Sequence, residues 1–241
     1  RIFFIFFLYL LNMVGAWEDE RILIGVPQDT KSPEQIWFDS IQMMRFHHPL
    51  NPNLQFPHWV SVVKRAPLDM ARNMIVNQAI QNEVSLILWV DSDVVIRDIM
   101  AFEKLYIDMK KTGYKIVSGV YWSKKGQTGI WNLDKDKEGH DILKPYDVSK
   151  IDPKGDGLIY DAELVGSGLM LVDVSVYESL DYPWYDYQTD FVKDPYKFGE
   201  DFYFLNKARE KGYRLLVDYN VKGNHTFVAS FDPEGKVVEV P

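Results

Sequence analysis

The sequence has 241 residues, enough for one large α/β domain or two small ones, and its aromatic content of 15% is too high for a disordered chain. The formal net charge is -8, the pI is about 5.2, and no run of Lys and Arg residues occurs, which argues against nucleic-acid binding. Cysteine is absent, which excludes disulfides, thiolate metal sites and cysteine nucleophiles.

Residues 2–16 form an almost continuous apolar stretch, shorter than the roughly 20 residues that a membrane-spanning helix needs. Three interpretations are open: a truncated signal anchor or signal-peptide core, sequence upstream of a start at Met13, or a helix that is buried or binds a partner. We therefore expect an N-terminal segment over residues 1–20, followed by one domain over residues 21–241. The sequence leaves the localisation open between the cytoplasm and, if the first interpretation holds, a membrane contacted through residues 2–16.

The domain begins with a predicted buried strand over residues 21–27, followed by a loop over residues 28–31. A helix is expected to start at residues 32–33, where Ser and Pro are typical of an N-cap and a first helical position. Residues 47–58 contain three prolines and are predicted to be a loop, whose three histidines we expect at the surface. A second strand is predicted over residues 59–63.

A helix is predicted from Pro67 onward, and Arg72 and Asn73 lie in its first turns, directly after a strand. The positive end of a helix and a guanidinium group together suit a diphosphate or a nucleobase-recognition loop. The alternative is a solvated arginine and a surface asparagine.

The most informative stretch is residues 85–93, where a short apolar run ends in Asp91 and Asp93. Such a run is typical of a strand buried on both faces in a parallel sheet, and ligands of open α/β sheets bind at the carboxyl ends of the strands. Two carboxylates separated by one residue can hold Mg²⁺ or Mn²⁺, which commonly bridges to substrate phosphates. The alternative is a turn whose carboxylates only cap the next helix.

Beyond this strand we predict a helix over residues 98–111, a strand over 114–122 and a polar excursion with a hairpin over 123–153. Gly166 and Gly168 interrupt the next apolar strand, which indicates either a close approach of ligand or backbone, or a simple bulge.

The last third of the chain contains further polar candidates. Residues 182–196 are rich in aromatic side chains, which could stack on a sugar or a base, or could pack as a lid. Glu200 and Asp201 open a helix, where they favour the helix dipole or supply a catalytic base. His225 follows a strand predicted over residues 213–218, and it is either structural or a further metal ligand.

The order of these elements from about residue 21 to about residue 231 resembles glycosyltransferases of the GT-A fold, in the broad family-two-like group. The resemblance rests on residues 22–27, 71–73, 90–93 and 166–171, with residues 199–201 and His225. It implies a single α/β domain with a Rossmann-like, mostly parallel central sheet flanked by helices. It also implies transfer of a sugar from a UDP- or GDP-sugar to a glycan, lipid or protein acceptor.

The resemblance further implies roles for individual residues. Asp91 would lie near the ribose, Asp93 would ligate Mn²⁺ or Mg²⁺, and Asp91 and His225 would complete the metal ligands. Asp201 would be the base in an inverting enzyme, with Glu200 beside it. The donor-binding positions implied are Pro27, Asp29, Arg72, Asn73, Asp91, Ser92 and Gly168.

Two departures from the family pattern leave alternatives open. The loop after the first strand differs from the commoner form, and no Gln-x-x-Arg-Trp element follows residues 200–201. Whether the configuration of the sugar is inverted or retained therefore stays open. The rival classes are a nucleotidyltransferase that makes sugar nucleotides, and a non-catalytic module that binds a sugar nucleotide or a glycan.

Overall fold

The computed structural model describes residues 20–28, 34–49, 51–122, 128–135, 137–138, 141–151, 155–187, 199–226, 229–231 and 237–239. The apolar stretch at residues 2–16 lies outside this set, so its association with a membrane and the boundary after residue 20 stay predictions. Within the described part of the chain, no helix combines the length and the apolar character needed to cross a membrane.

The described residues contain five α-helices and fifteen strands. The helices are α1 (Glu34–Met43), α2 (Leu68–Gln81), α3 (Ala101–Thr112), α4 (Val174–Glu178) and α5 (Glu200–Glu210). The strands are β1 (Ile22–Gln28), β2 (His47–His48), β3 (Asn51–Gln55), β4 (His58–Lys64), β5 (Leu86–Val90), β6 (Val94–Ile96), β7 (Ile116–Trp122), β8 (Ile130–Lys135), β9 (Asp141–Pro145), β10 (Leu158–Ile159), β11 (Leu164–Val165), β12 (Leu169–Asp173), β13 (Leu215–His225), β14 (Ala229–Phe231) and β15 (Val237–Glu239).

The central sheet has eight strands in the order β10-β13-β7-β12-β5-β1-β4, with β6 paired to β13. Strands β4, β1, β5, β7 and β13 run in one direction, whereas β12, β10 and β6 run in the opposite direction. Helices flank this sheet, and the described residues form a single α/β domain. The predicted fold class, a mostly parallel central sheet flanked by helices, is therefore confirmed.

Strand β5 explains why the core has two halves. All five of its residues are buried, and they alternate between the two faces of the sheet. Leu86, Leu88 and Val90 pack in a cluster with α1 and α3, whereas Ile87 and Trp89 pack in a cluster with α2, α4 and α5. The apolar run predicted at this position is thus buried on both faces, as expected for a strand in the middle of such a sheet.

The region after α1 differs from its prediction as a loop. Strands β2 and β3 form an antiparallel hairpin there. The expectation that its histidines lie at the surface is wrong for His48, which is buried, and the ring of His58 stacks on Phe46 with ring centroids 4.3 Å apart. Both imidazoles contact aromatic rings of one core cluster, His58 through Phe46 and His48 through Phe56, whose ring centroid is 5.6 Å away.

Two other segments differ in extent from their predictions. The strand that contains the glycines is split into β11 and β12, and only β12 belongs to the central sheet. Strand β13 is longer than expected, because a register shift between Val217 and Lys222 lets its second half continue beside β7 and β6. His225 is consequently the last residue of a long strand. The hairpin predicted in the polar excursion is confirmed as β8 and β9.

Candidate functional site

The candidate site lies where β1, β5 and β13 end. Asp91 follows β5 directly, and its N–H donates to the carbonyl of Gly168 over 3.1 Å. The turn closes when the N–H of Val94 donates to the Asp91 carbonyl, also over 3.1 Å, and β6 then starts. Because β6 pairs antiparallel with the end of β13, His225 lies opposite Val94 and reaches the same turn.

Asp93 and His225 are in direct contact. The Oδ2 atom of Asp93 lies 2.7 Å from Nε2 of His225, and the side chains are 35% and 23% exposed. The N–H and the hydroxyl of Thr226 both donate to the carbonyl of Asp93, over 2.7 and 2.9 Å. The two predicted metal ligands, which are 132 positions apart, are thus fixed beside each other at the surface of the site.

A cleft of about 380 Å³ opens at this end of the sheet. It is lined by Pro27, Gln28, Ala66, Leu68, Ala71, Asp91, Ser92, Asp93, Tyr121 and His225. Five of the predicted site residues are therefore brought together around one cavity, and Gln28 was missed although it ends β1. Gln28 is 8% exposed, and its Oε1 atom is buried with no hydrogen-bond partner within the described residues.

Asp91 is shared between the cleft and the protein interior. Its Oδ1 atom accepts a hydrogen bond of 2.8 Å from Nη2 of Arg72, which is buried. Burial raises the pKa of the Asp91 carboxyl above its ordinary value, although the Arg72 guanidinium opposes this shift. Searched over the described residues, the structure contains no group of three or more His, Cys, Asp or Glu side chains arranged to hold a metal ion.

Arg72 also binds the other predicted acid. Its Nε atom donates to Oε1 of Glu200 over 3.1 Å, and Glu200 is buried as well. Burial acts to lower the pKa of Arg72, but the carboxylates of Asp91 and Glu200 outweigh it, so the pKa is raised well above its ordinary value. The alternative of a solvated arginine is thereby excluded, because the side chain is 1% exposed.

Asn73 holds the start of the aromatic segment. Its Oδ1 atom accepts hydrogen bonds from the N–H groups of Trp184 and Tyr185, both 3.1 Å long, and its Nδ2 atom donates to the Tyr185 carbonyl over 2.7 Å. In this structure both ends of the amide bind protein backbone. Within the described part of the aromatic segment, Tyr185 is buried, whereas Tyr182 and Tyr187 are exposed.

Asp201 makes no ion pair among the described residues, unlike Asp91 and Glu200, which both pair with Arg72. Its Oδ1 atom accepts a hydrogen bond of 2.8 Å from the N–H of Phe202 at the start of α5. Burial, followed by the charge of Glu200, raises the pKa of Asp201 to about 7, although Arg72 acts in the opposite direction. A carboxyl with this pKa can exchange a proton near neutral pH, which is the property that a general base requires.

Tyr121 is a cleft residue that the sequence did not reveal. Its ring packs edge-on against the imidazole of His225 with centroids 5.7 Å apart. A Cβ atom on Gly166 would overlap the Tyr121 hydroxyl, and one on Gly168 would lie 2.9 Å from the Tyr121 ring and from Oδ2 of Asp91. The two glycines therefore leave room for a tyrosine and a carboxylate to lie side by side, so the groups that approach them here are side chains of the protein.

The remaining predicted site residue, Asp29, lies outside the described residues, as does the second half of the aromatic segment at residues 188–198. Pro27 and Ser92 line the cleft, and Ser92 is buried in the turn between the two aspartates. Burial, followed by the charges of Asp91 and Asp201, raises the pKa of Tyr121 well above its ordinary value, so its hydroxyl stays neutral.

No protein-family model matches the sequence, and no curated protein is similar to it in sequence. Among solved structures, A197 from STIV is similar over 91% of this chain and 93% of that chain, with 16% identity and a TM-score of 0.53. GalNAc-T7, solved with UDP, GalNAc and Mn²⁺, is similar over 88% of this chain but only 38% of that chain, with 13% identity and a TM-score of 0.48. At these identities the likeness concerns the fold alone, and the second TM-score is too low to support an inference. The likeness to A197 agrees with the α/β fold described above, in which helices flank a mostly parallel central sheet.

Proposed function

We propose that this chain is a metal-dependent glycosyltransferase that moves a sugar from a UDP- or GDP-sugar to a hydroxyl group of a glycan, lipid or protein acceptor. The observation that carries the proposal is the meeting of Asp91, Asp93 and His225 around one cleft, with the raised pKa of Asp201 nearby. Ligands of open α/β sheets bind at this edge, and a cleft of this size accommodates a nucleotide part of a donor.

The donor set at Asp93 and His225 fits a divalent cation. One carboxylate oxygen and one imidazole nitrogen lie 2.7 Å apart at the edge of the cleft, and both side chains are partly exposed. Mn²⁺ accepts both kinds of atom, and such cations commonly take their remaining ligands from water and substrate phosphates. Asp91 has one oxygen bound to Arg72, so only its Oδ2 atom, beside Gly168, is left to face the donor. A bound cation neutralises the diphosphate and stabilises it as the leaving group.

Gln28 supports a UDP- or GDP-donor. Its carboxamide is buried at the end of β1, and Oε1 has no hydrogen-bond partner among the described residues. A buried acceptor without a partner destabilises the empty protein, and a ligand N–H removes that penalty. Uracil and guanine each present an N–H next to a carbonyl, to which the oxygen and the nitrogen of one carboxamide can bind together.

Asp201 is the proposed base. It accepts the proton of the acceptor hydroxyl while that oxygen attacks the anomeric carbon and the bond from this carbon to the diphosphate oxygen breaks. This role applies to an inverting enzyme. In a retaining enzyme Asp201 instead positions the acceptor or the donor sugar.

The experiment is a thermal unfolding series with UDP, GDP, ADP and CDP, each with Mn²⁺ and with EDTA. At a ligand concentration of about 100 times Kd, binding to the native state adds about 2.7 kcal/mol, which raises Tm by roughly 5 to 10 °C for a domain of this size. We expect a metal-dependent rise with UDP or GDP, its loss in Asp93→Asn and its retention in Asp134→Asn, a surface carboxylate paired with Lys144.

Three other results would favour a different function or overturn the proposal. A rise with nucleoside triphosphates and sugar phosphates would favour the nucleotidyltransferase. Tight donor binding without hydrolysis or transfer to a range of acceptors would favour the non-catalytic module. A folded protein that responds to no nucleotide would overturn the proposal.

A further inference from the structure

We propose that Arg72 is a positioning residue whose guanidinium fork joins the donor side of the site to the helix that carries the proposed base. The proposal rests on the glycosyltransferase function proposed above. Nη2 of Arg72 binds Asp91 and Nε binds Glu200, over 2.8 and 3.1 Å. The two acids are 19 and 128 positions away from Arg72 in the chain, so one side chain ties the end of β5 to the start of α5.

Burial distinguishes this role from direct contact with a nucleotide. Arg72 is 1% exposed and does not line the cleft, whereas its neighbour Ala71 does. Two of its three nitrogens are occupied by carboxylates of the protein. A guanidinium in this position acts on the substrate through Asp91 and Glu200.

The surroundings of Arg72 restrict its movement. Its guanidinium carbon lies 5.1 Å from the ring centre of Trp89 and 5.7 Å from that of Tyr185. The Trp89 indole N–H donates to the hydroxyl of Tyr177 over 2.9 Å, and that hydroxyl is 2.7 Å from the hydroxyl of Tyr185. The two rings beside the guanidinium are thus linked to each other by hydrogen bonds, which fixes the direction of the fork.

The consequence concerns the geometry between donor and base. Glu200 is the first residue of α5 and Asp201 the second, so a shift of the Glu200 side chain is transmitted to the backbone that carries Asp201. Asp91 is held at the same time, on the cleft side, next to Asp93. A misplacement of about 1 Å between reacting groups can reduce turnover about 100-fold without a comparable loss of binding.

The test is a double-mutant cycle with Arg72→Lys and Glu200→Gln, in which turnover with the UDP- or GDP-sugar that the thermal series identifies is measured together with the dissociation constant of Mn²⁺·UDP or Mn²⁺·GDP. Lysine keeps the charge but lacks the planar fork that binds two carboxylates at once. We expect Arg72→Lys to lower kcat about 10- to 100-fold and to change the nucleotide dissociation constant less than about threefold. The double variant should have a kcat less than about threefold below that of Glu200→Gln alone, because the two side chains act as one unit.

A matched control is Arg45→Lys, since Arg45 faces the buried Glu103 at 3.9 Å on the other side of the sheet. Its kcat should equal that of the wild type, and an equal loss there would overturn the positioning role. Weakening of nucleotide binding by as much as kcat falls would assign Arg72 to direct nucleotide contact instead. Independent losses in the two single variants would also remove the positioning role.

If Arg72→Lys does not fold, Glu200→Gln alone carries the test, with its loss expected in kcat and not in nucleotide binding. A wild-type protein that neither binds nucleotide nor transfers sugar removes the proposed function, and the positioning role with it. Wild-type activity combined with any of the contrary results above removes the positioning role alone.

Discussion

Two clusters of buried or partly buried acids in this domain differ in the groups that their carboxyls contact. In the first, Asp91 and Glu200 share the guanidinium of Arg72. In the second, Asp108 on α3 and Asp218 on β13 bind each other through a hydrogen bond between their side chains. Burial, followed by the charge of Asp218, raises the pKa of Asp108 to about 7, and burial raises that of Asp218 as well.

The comparison shows two ways to bury a carboxyl group. In the first cluster a buried guanidinium opposes the effect of burial on the pKa of Asp91, whereas in the second burial and the charge of Asp218 act together to raise the pKa of Asp108. Asp201 combines features of both, since it lies near Arg72 but makes no ion pair with it among the described contacts, and its pKa is also about 7. The cation of the site is therefore committed to two acids, and the third is left to titrate near neutral pH.

Removal of the cation should give the largest effect. In Arg72→Met the buried carboxylate of Glu200 and the partly buried carboxylate of Asp91 lose their partner, and we expect unfolding in urea at pH 7 to show a loss of about 3 to 5 kcal/mol. The loss should shrink toward pH 4, because protonation relieves the unpaired acids. The control Lys144→Met breaks the exposed pair with Asp134 and should leave stability unchanged. A loss below about 1 kcal/mol in Arg72→Met would show that the two clusters do not differ in this way.

Removal of the acid that titrates should separate activity from stability. We expect Asp201→Asn to lower kcat about 10²- to 10⁴-fold, and the rise of the wild-type kcat/KM with pH through about 7 to disappear. The folded-state pKa is raised above the unfolded value, so the wild-type protein loses stability as the pH rises from about 4 to about 7. Asp201→Asn should therefore be more stable than the wild type at pH 8 while it is less active.

A matched control on the same helix is Glu210→Gln, whose side chain is exposed and accepts a hydrogen bond from Asn206. It should leave both pH profiles unchanged. An Asp201→Asn protein with wild-type kcat at pH 8 would exclude Asp201 as the base.

The sheet and part of the site could be predicted from local patterns. The apolar run at residues 85–90 and the two aspartates after it are adjacent in sequence, so the strand and its polar end are visible together. His225 was expected to reach the same place, and it does so through β6 and β13, whose pairing no local pattern reveals. The contact between Asp93 and His225 depends on a register shift within β13, which sequence periodicity does not encode.

The interior partners of the site could not be predicted, because they depend on side chains that meet across the core. The first turns of α2 gave no sign that Arg72 points inward to Glu200, or that Asn73 binds the backbone of Trp184 and Tyr185. Tyr121 lies in a strand whose sequence pattern does not mark it as a site residue. The only sequence feature connected with its position is the pair Gly166 and Gly168, which leave space for its ring. A single sequence does not show which side chains from such distant positions contact each other in the folded protein.

The smallest expected effect concerns the second cluster, where Asp108→Asn replaces the proton-sharing acid by an amide. Because the pKa of Asp108 is raised to about 7, the wild-type protein should lose stability between about pH 4 and pH 7, and the variant should lose less. We expect a gain of about 1 kcal/mol at pH 8, or about 2 to 4 °C in Tm, since water reaches part of the pair and screens it.

The control Asp134→Asn has the opposite sign, because hydrogen bonds from the Lys135 N–H and from Lys144 lower the pKa of Asp134, so its contribution is present at neutral pH and lost in acid. Parallel pH curves for Asp108→Asn and the wild type would mean that the pKa of Asp108 is not raised in the folded protein, and the contrast between the two clusters would then fail.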